Sequence, residues 1–267
     1  MPVINPFNNL IFAWHYAGYL LKARHKKGQG IHSPFTYNLV TKVIFDNQHY
    51  EEYDLFRKIK NEFKRSQKII IMDETGARSA CFKKKRSIAK MSKYSSVNSK
   101  FGKLLFRLVC YFKPEIIVEL GTSLGISSVC MSVGNSQSSL YTIEANEELC
   151  SIANRLFEKY KIENVKVIQG CFDEILDKEI EKLSRPEFVF IDGNHTYENT
   201  IRYFEYFSKR MEDGIIVFDD INWSKGMRKA WRKIIGDPGA DITIDLFFMG
   251  IVLKRKSVTP GHYCVRF

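Results

Sequence analysis

Residues 116–128, Ile-Ile-Val-Glu-Leu-Gly-Thr-Ser-Leu-Gly-Ile-Ser-Ser, constrain this chain more than any other stretch. A β-branched run ends in an acid, Glu119, and two glycines, Gly121 and Gly125, follow before a series of small residues. Such a run suits a strand buried on both faces, and the tight turn after it requires glycine. The small residues then open a helix. The stretch predicts the strand–turn–helix unit of an open α/β sheet, where ligands sit beyond the carboxyl ends of the strands. A dinucleotide fingerprint crowds its glycines as G-x-G-x-x-G. Here the pattern is Glu-x-Gly-x-x-x-Gly-x-Ser, a sparser phosphate cradle with an acid that repels a pyrophosphate. That acid suits a cationic or hydroxyl-rich ligand, so an NAD oxidoreductase is the weakest candidate.

From residue 115 onward the chain alternates strand and helix. Strands are expected at 140–143, 165–169, 188–191 and 215–218, each followed by a helical period, and an antiparallel pair at 242–247 and 250–254 closes the series. The expected fold is a doubly wound, Rossmann-like sheet, mostly parallel, with a C-terminal antiparallel hairpin. It occupies residues 111–267, and residues 1–110 form a helical N-terminal extension. In that extension Asn5 and its neighbours open an aromatic helix, Gly28 and Gly30 break it, and Ser33-Pro34 starts another, with Ser33 as N-cap. Residues 69–72 read as a short strand and residues 73–79 as a loop with no strand after it. Residues 83–103 read as part helix and part mobile loop, a lid over the site.

The charge of +11 has a local source. Residues 75–114 hold eleven Lys or Arg and no acid, and without them 30 basic residues stand against 30 acidic ones. This segment could meet phosphate on RNA, an anionic surface or an acidic substrate. The six cysteines show no C-x-x-C spacing, which argues against a zinc ribbon and for free thiols in a reducing cytoplasm. No apolar run is long enough to span a bilayer, since residues 10–21 are interrupted by His15 and Gly18.

Polar residues gather where the strands end: Glu119, Glu144, Cys171, Asp192, Asp219 and Asp220. In a parallel sheet those ends share one rim. Glu144, 23 residues after Gly121, is placed to accept both hydroxyls of a ribose, or else to cap the helix after it. Asp192, Asp219 and Asp220 together would repel one another unless a divalent cation, Mg²⁺ or a similar oxygen-seeking ion, relieved the cost; otherwise Asp219 or Asp220 caps a helix and Asp192 contacts a ligand amine. His195 lies at the start of a helix whose dipole should lower its pKa, so a neutral imidazole could take a proton, or else the ring caps the helix or stacks on a cofactor.

These motifs, Val-Glu-Leu-Gly-Thr-Ser-Leu-Gly-Ile-Ser, Thr-Ile-Glu-Ala-Asn, Gln-Gly-Cys-Phe-Asp, Phe-Ile-Asp-Gly-Asn-His and Val-Phe-Asp-Asp-Ile, resemble class I S-adenosylmethionine-dependent methyltransferases over residues 114–256. They particularly resemble the metal-dependent small-molecule O-methyltransferases of the catechol, caffeoyl-coenzyme A and bacterial sugar types. The resemblance implies a cofactor site of Glu119, Gly121, Thr122, Ser123, Gly125, Ser127, Glu144, Ala145, Cys171, Phe172 and Asp192. Glu144 would take the ribose, and Cys171 and Phe172 would flank the adenine. It further implies Mg²⁺ or another divalent cation on Asp192, Asp219 and Asp220, and catalytic roles for Asp192 and His195. Two departures from the catechol enzymes, His195 in place of a lysine and Asp220 in place of an asparagine, point toward sugar-like or vicinal-hydroxyl acceptors. The expected partner is a small-molecule acceptor, with homodimerisation through the N-terminal helices. The alternatives are an RNA methyltransferase gripping phosphates with residues 75–114, and a protein that binds S-adenosylmethionine without transferring its methyl group.

Overall fold

The computed structural model describes residues 6–73, 83–94, 97, 99–183, 185–256 and 258–267. The expected Asn5 opening, Cys81 and most of the expected 73–79 loop lie outside the described residues. The fold is α/β with a mostly parallel sheet of eight strands and a separate two-stranded sheet, in agreement with the sequence reading. Two compact units are distinguished, one of residues 47–193 and one formed by the chain up to Asp46 and from Asn194 onward.

The chain opens in the second of these units with helix α1 (Pro6–Lys22) and helix α2 (Pro34–Leu39). Ser33 caps α2 by accepting from the Thr36 amide, and Pro34 occupies the first turn, where its missing N–H costs nothing.

The unit of residues 47–193 begins with α3 (Glu52–Arg65), which buries Tyr53, Phe56 and Ile59 along one stripe. Its acids sit in the first turn and its bases in the last, matching the helix dipole. Strand β1 (Ile69–Asp73) pairs antiparallel with β2 (Lys83–Ser87). The expectation that no strand follows residues 69–72 is therefore corrected. Lys-Lys-Lys-Arg-Ser carries no β signal of its own, and pairing with the isoleucine-rich edge of β1 makes it a strand. Helix α4 (Ile88–Tyr94) then buries Ile88 and Met91, and Ser92 donates to the Lys60 carbonyl at 3.3 Å. Residues 83–94 are thus packed secondary structure rather than a mobile loop. Helix α5 (Ser99–Phe112) buries an apolar face from Phe101 to Val109, and Arg107, counted in the basic segment, is buried and donates to the Tyr53 hydroxyl at 3.2 Å.

There follow β3 (Ile116–Leu120), α6 (Ile126–Ser132), β4 (Ser139–Glu144), α7 (Glu147–Tyr160), β5 (Val165–Gln169), α8 (Phe172–Lys178) and β6 (Phe188–Ile191). The four strands are parallel in the order β6-β3-β4-β5. Register sets Leu120 beside Ile143 and Ile191, and Glu144 beside Gln169, so the carboxyl ends form one edge. β6 is buried throughout, as a continuous apolar run in a parallel sheet requires.

The other unit resumes with α9 (Tyr197–Arg210), β7 (Gly214–Phe218), α10 (Lys225–Ile235), β8 (Ile242–Asp245), β9 (Gly250–Lys254) and β10 (Gly261–Cys264). Its strand order is β10-β8-β9-β7. The antiparallel pair β8–β9 appears as expected, but it is not the end of the fold. β10 adds in parallel to β8, with Val265 N donating to Asp245 O at 2.9 Å beyond the last pair. Gly-His-Tyr-Cys has neither alternation nor β-branched residues, so nothing local announces it. α1 is held in this unit by Tyr19, which is buried and donates to the Val265 carbonyl, and by the Phe247 ring, which meets Phe12, Tyr16 and Tyr19 at 5.3, 4.9 and 5.2 Å. A buried phenylalanine of this kind contributes about 1.5–3 kcal/mol.

Candidate active site

The edge of the 47–193 unit is built around Gly121. Its φ is +110°, and a Cβ there would lie 2.3 Å from the Asp192 carbonyl oxygen, so only glycine allows β3 to end this close to β6. The Gly121 and Thr122 amides both donate to the Ile143 carbonyl, at 3.0 and 3.2 Å, which ties the turn to β4. Ser123 adopts φ +48°, and its amide donates to Glu144 Oε2 at 3.0 Å. Gly125, at φ +78°, opens α6, and any side chain on it would press on the Phe157 ring at 3.0 Å.

Glu144 accepts on both oxygens, from Ser123 N on one and from Asn146 N at 2.9 Å on the other. Burial raises its pKa, and these backbone donors partly offset that rise. It does not cap the following helix. Asn146 does, accepting from Leu149 N at 3.0 Å. The carboxylate is therefore oriented at the strand end while each oxygen retains acceptor capacity.

Glu119 is fully buried on β3. Its Oε2 accepts from the Ser128 hydroxyl and, at 2.6 Å, from the Thr142 hydroxyl, which in turn meets Thr122 Oγ1 at 2.6 Å. Among the described residues Oε1 has no hydrogen-bond partner within bonding geometry, although the nearby Ser127 hydroxyl also favours the anion. Burial dominates and pushes the Glu119 pKa up to about 7, with the hydroxyls pulling it down and Asp192 adding to the rise. A buried carboxylate with one oxygen left open is a costly arrangement that a cationic ligand would relieve.

The remaining residues are placed as follows. Asp192 donates its amide to Leu120 O at 2.9 Å, and its side chain is half-buried. Phe172 packs where a Cβ on Gly193 would lie 2.6 Å from its ring. Ala145 and Cys171 are exposed. In the other unit, His195 directly precedes Thr196, the N-cap of α9, and Asp219 and Asp220 follow β7, with Asp220 at φ +56°. Among the described residues no three His, Cys, Asp or Glu come together in a way that could hold a metal ion. The sequence reading missed Ser128 and Thr142. Thr142 stands opposite Glu119 in the β3–β4 register, and a hydroxyl inside the apolar Leu-Tyr-Thr-Ile run was the available signal.

The family model described as a methyltransferase domain matches residues 118–221. That match covers the glycine turn, both glutamates, Asp192, His195 and the Asp219-Asp220 pair. Over those residues the chain is similar to methyltransferase domains. Solved structures share the fold. An O-methyltransferase from Bacillus cereus in complex with S-adenosylhomocysteine is 20% identical, with 81% of this chain and 96% of that chain covered and a TM-score of 0.54. The O-methyltransferase TomG of Streptomyces achromogenes, involved in tomaymycin synthesis and solved with S-adenosylmethionine, is 16% identical over 78% and 92% of the two chains, with a TM-score of 0.54. A Podospora anserina methyltransferase bound to S-adenosylhomocysteine is 15% identical over 84% and 97%, with a TM-score of 0.57. At these identities the likeness is one of fold.

Proposed function

We propose that this protein transfers the methyl group of S-adenosylmethionine to a hydroxyl oxygen of a small molecule. The observation that carries the reading is the pair of glutamates on adjacent strands, Glu119 buried and Glu144 partly buried. Glu144 is fixed with spare acceptor capacity at a strand end, and Glu119 holds an unpartnered oxygen beneath the glycine turn. Glu144 accepts the ribose hydroxyls, and the cationic methionine end lies on the Glu119 side, with Phe172 and Cys171 toward the adenine. The solved O-methyltransferases that hold S-adenosylmethionine or S-adenosylhomocysteine support this cofactor and an oxygen acceptor.

In the transfer, the acceptor oxygen forms a bond to the methyl carbon as the carbon–sulfur bond breaks. The sulfonium becomes the neutral thioether of S-adenosylhomocysteine. His195, or water, takes the hydroxyl proton. The protein acts mainly by holding the two reactants in line. A divalent cation on Asp192, Asp219 and Asp220 would lower the hydroxyl pKa. The described residues form no ready metal cluster.

Calorimetric titration of the full chain with S-adenosylmethionine, in Mg²⁺ and in EDTA and at low and high salt, tests the reading. Micromolar binding is expected, weakened about tenfold or more in Glu144→Gln, where an amide replaces a charged acceptor. Absence of binding in every condition sinks the proposal. Turnover that survives EDTA removes the metal from it.

A further inference from the structure

The unit that contains α1 and α10 holds a cavity of 790 Å³, within the size range of small-molecule sites. Its walls come from α1, from α10 and from the β8 and β10 edge, and none of the residues expected to bind the cofactor lines it. Two features of the walls stand out. One is aromatic and aliphatic surface left open to solvent, since Trp14 is 74% and Leu21 81% exposed. The other is cationic charge without matching acid. Lys22, Arg228 and Arg232 line the cavity with three histidines, against a single carboxylate, Asp245.

Asp245 offsets only part of this charge, acting on Lys22 and His262 and not as a partner of either arginine. It is largely buried and already accepts from Trp231 Nε1 at 3.0 Å and from the Phe247 amide at 2.8 Å. Arg228 and Arg232 stand one helical turn apart on α10, a like-charge spacing that costs a helix a few tenths of a kcal/mol. Among the described residues neither pairs with a carboxylate. Arg228 Nη1 donates to Asn222 O and Arg232 Nε to Arg228 O, and these backbone contacts set the direction of both guanidinium groups. The positive field reaches the neighbours as well. The His15 pKa is lowered by burial and then by both arginines, and that of His262 by burial, with Asp245 opposing the fall and His25 and Lys22 adding to it. Tyr19 and Phe247, which also line the cavity, hold α1 within this unit.

We propose that this cavity binds an amphipathic organic anion, with a flat or fatty body along Trp14 and Leu21 and a carboxylate or phosphate head on Arg228 and Arg232. Apolar contact alone would favour a neutral ligand, and the two guanidinium groups alone would favour inorganic phosphate. Their juxtaposition selects molecules that carry both parts. The site is independent of the cofactor reading of residues 47–193.

The test is titration of the full chain with 1-naphthyl phosphate, 1-naphthoate, 1-naphthol and inorganic phosphate, followed by calorimetry and tryptophan fluorescence. At least one naphthyl anion is expected to bind in the micromolar range, tenfold or more tighter than naphthol and than phosphate. The better of the two heads identifies the preferred ligand source. Arg232→Gln and Trp14→Ala, both at exposed positions, should each weaken that binding tenfold or more and leave S-adenosylmethionine binding within twofold. Arg155→Gln, an exposed arginine in the other unit, should leave it within twofold. Equal affinity for naphthol, unchanged affinity in both cavity variants, an equal loss in Arg155→Gln, or no binding up to millimolar concentration would overturn the proposal.

Discussion

Glu119 is the side chain whose chemistry is most exposed to test. Its pKa is about 7 in the folded protein, against 4.5 for an ordinary glutamate. Between those values the folded chain binds more protons than the unfolded one, so this group stabilises the fold fully only below about pH 4.5, and the contribution is lost as pH rises through 7. From pH 5 to pH 8 the loss is roughly 2–3 kcal/mol. Glu119→Gln removes it. Urea unfolding of both proteins at the two pH values should show the wild type losing that much relative to the variant, and equal pH dependence would show that Glu119 is not the buried acid argued here. Binding of a cation beside Oε1 should also expel protons near pH 7, visible as buffer-dependent heat in the cofactor titration. Both glutamates were legible in the sequence because an acid at the end of an apolar strand has few other uses. Ser128 and Thr142 were not, since an isolated hydroxyl in a helix or strand becomes informative only when register places it beside a buried charge.

The strand–turn–helix of β3 and α6 stands or falls with one backbone conformation. Gly121→Ala would require a side chain at φ +110° and a Cβ 2.3 Å from the Asp192 carbonyl, so β3 and β6 would have to separate at the edge. A cost of roughly 1–3 kcal/mol is expected from the backbone strain alone, with more from the clash. The melting temperature should fall by several degrees, and cofactor affinity should fall at least tenfold. A variant with wild-type melting and affinity would contradict the geometry. The long apolar strands and the helices were predictable because their periodicity and, at α2, the Ser33 cap are local signals. β2 and β10 were not predictable. Lys-Lys-Lys-Arg-Ser and Gly-His-Tyr-Cys become strands because β1 and β8 offer them unpaired edges, and such tertiary pairing leaves no mark in the short segment itself.

The division of the chain into two units separates the expected roles. Every residue expected to touch the cofactor lies within 47–193, whereas His195, Asp219 and Asp220 belong to the unit that also carries α1, α10 and the cationic cavity. If the first unit binds the donor and the second serves proton removal and the acceptor, changes in the second should alter turnover and spare donor affinity. Asp219→Ala is the sharpest probe, because Asp219 lies just beyond β7 and its loss leaves the Glu119–Glu144 edge intact. S-adenosylmethionine affinity is expected to stay within about threefold while kcat falls by roughly 10²-fold or more, the pattern of a group that acts in the transition state rather than in binding. Melting temperature serves as the control for folding. Near-normal kcat would remove Asp219 from the chemistry, with or without a metal. A parallel tenfold loss of donor affinity would show instead that Asp219 acts in donor binding rather than in the transition state.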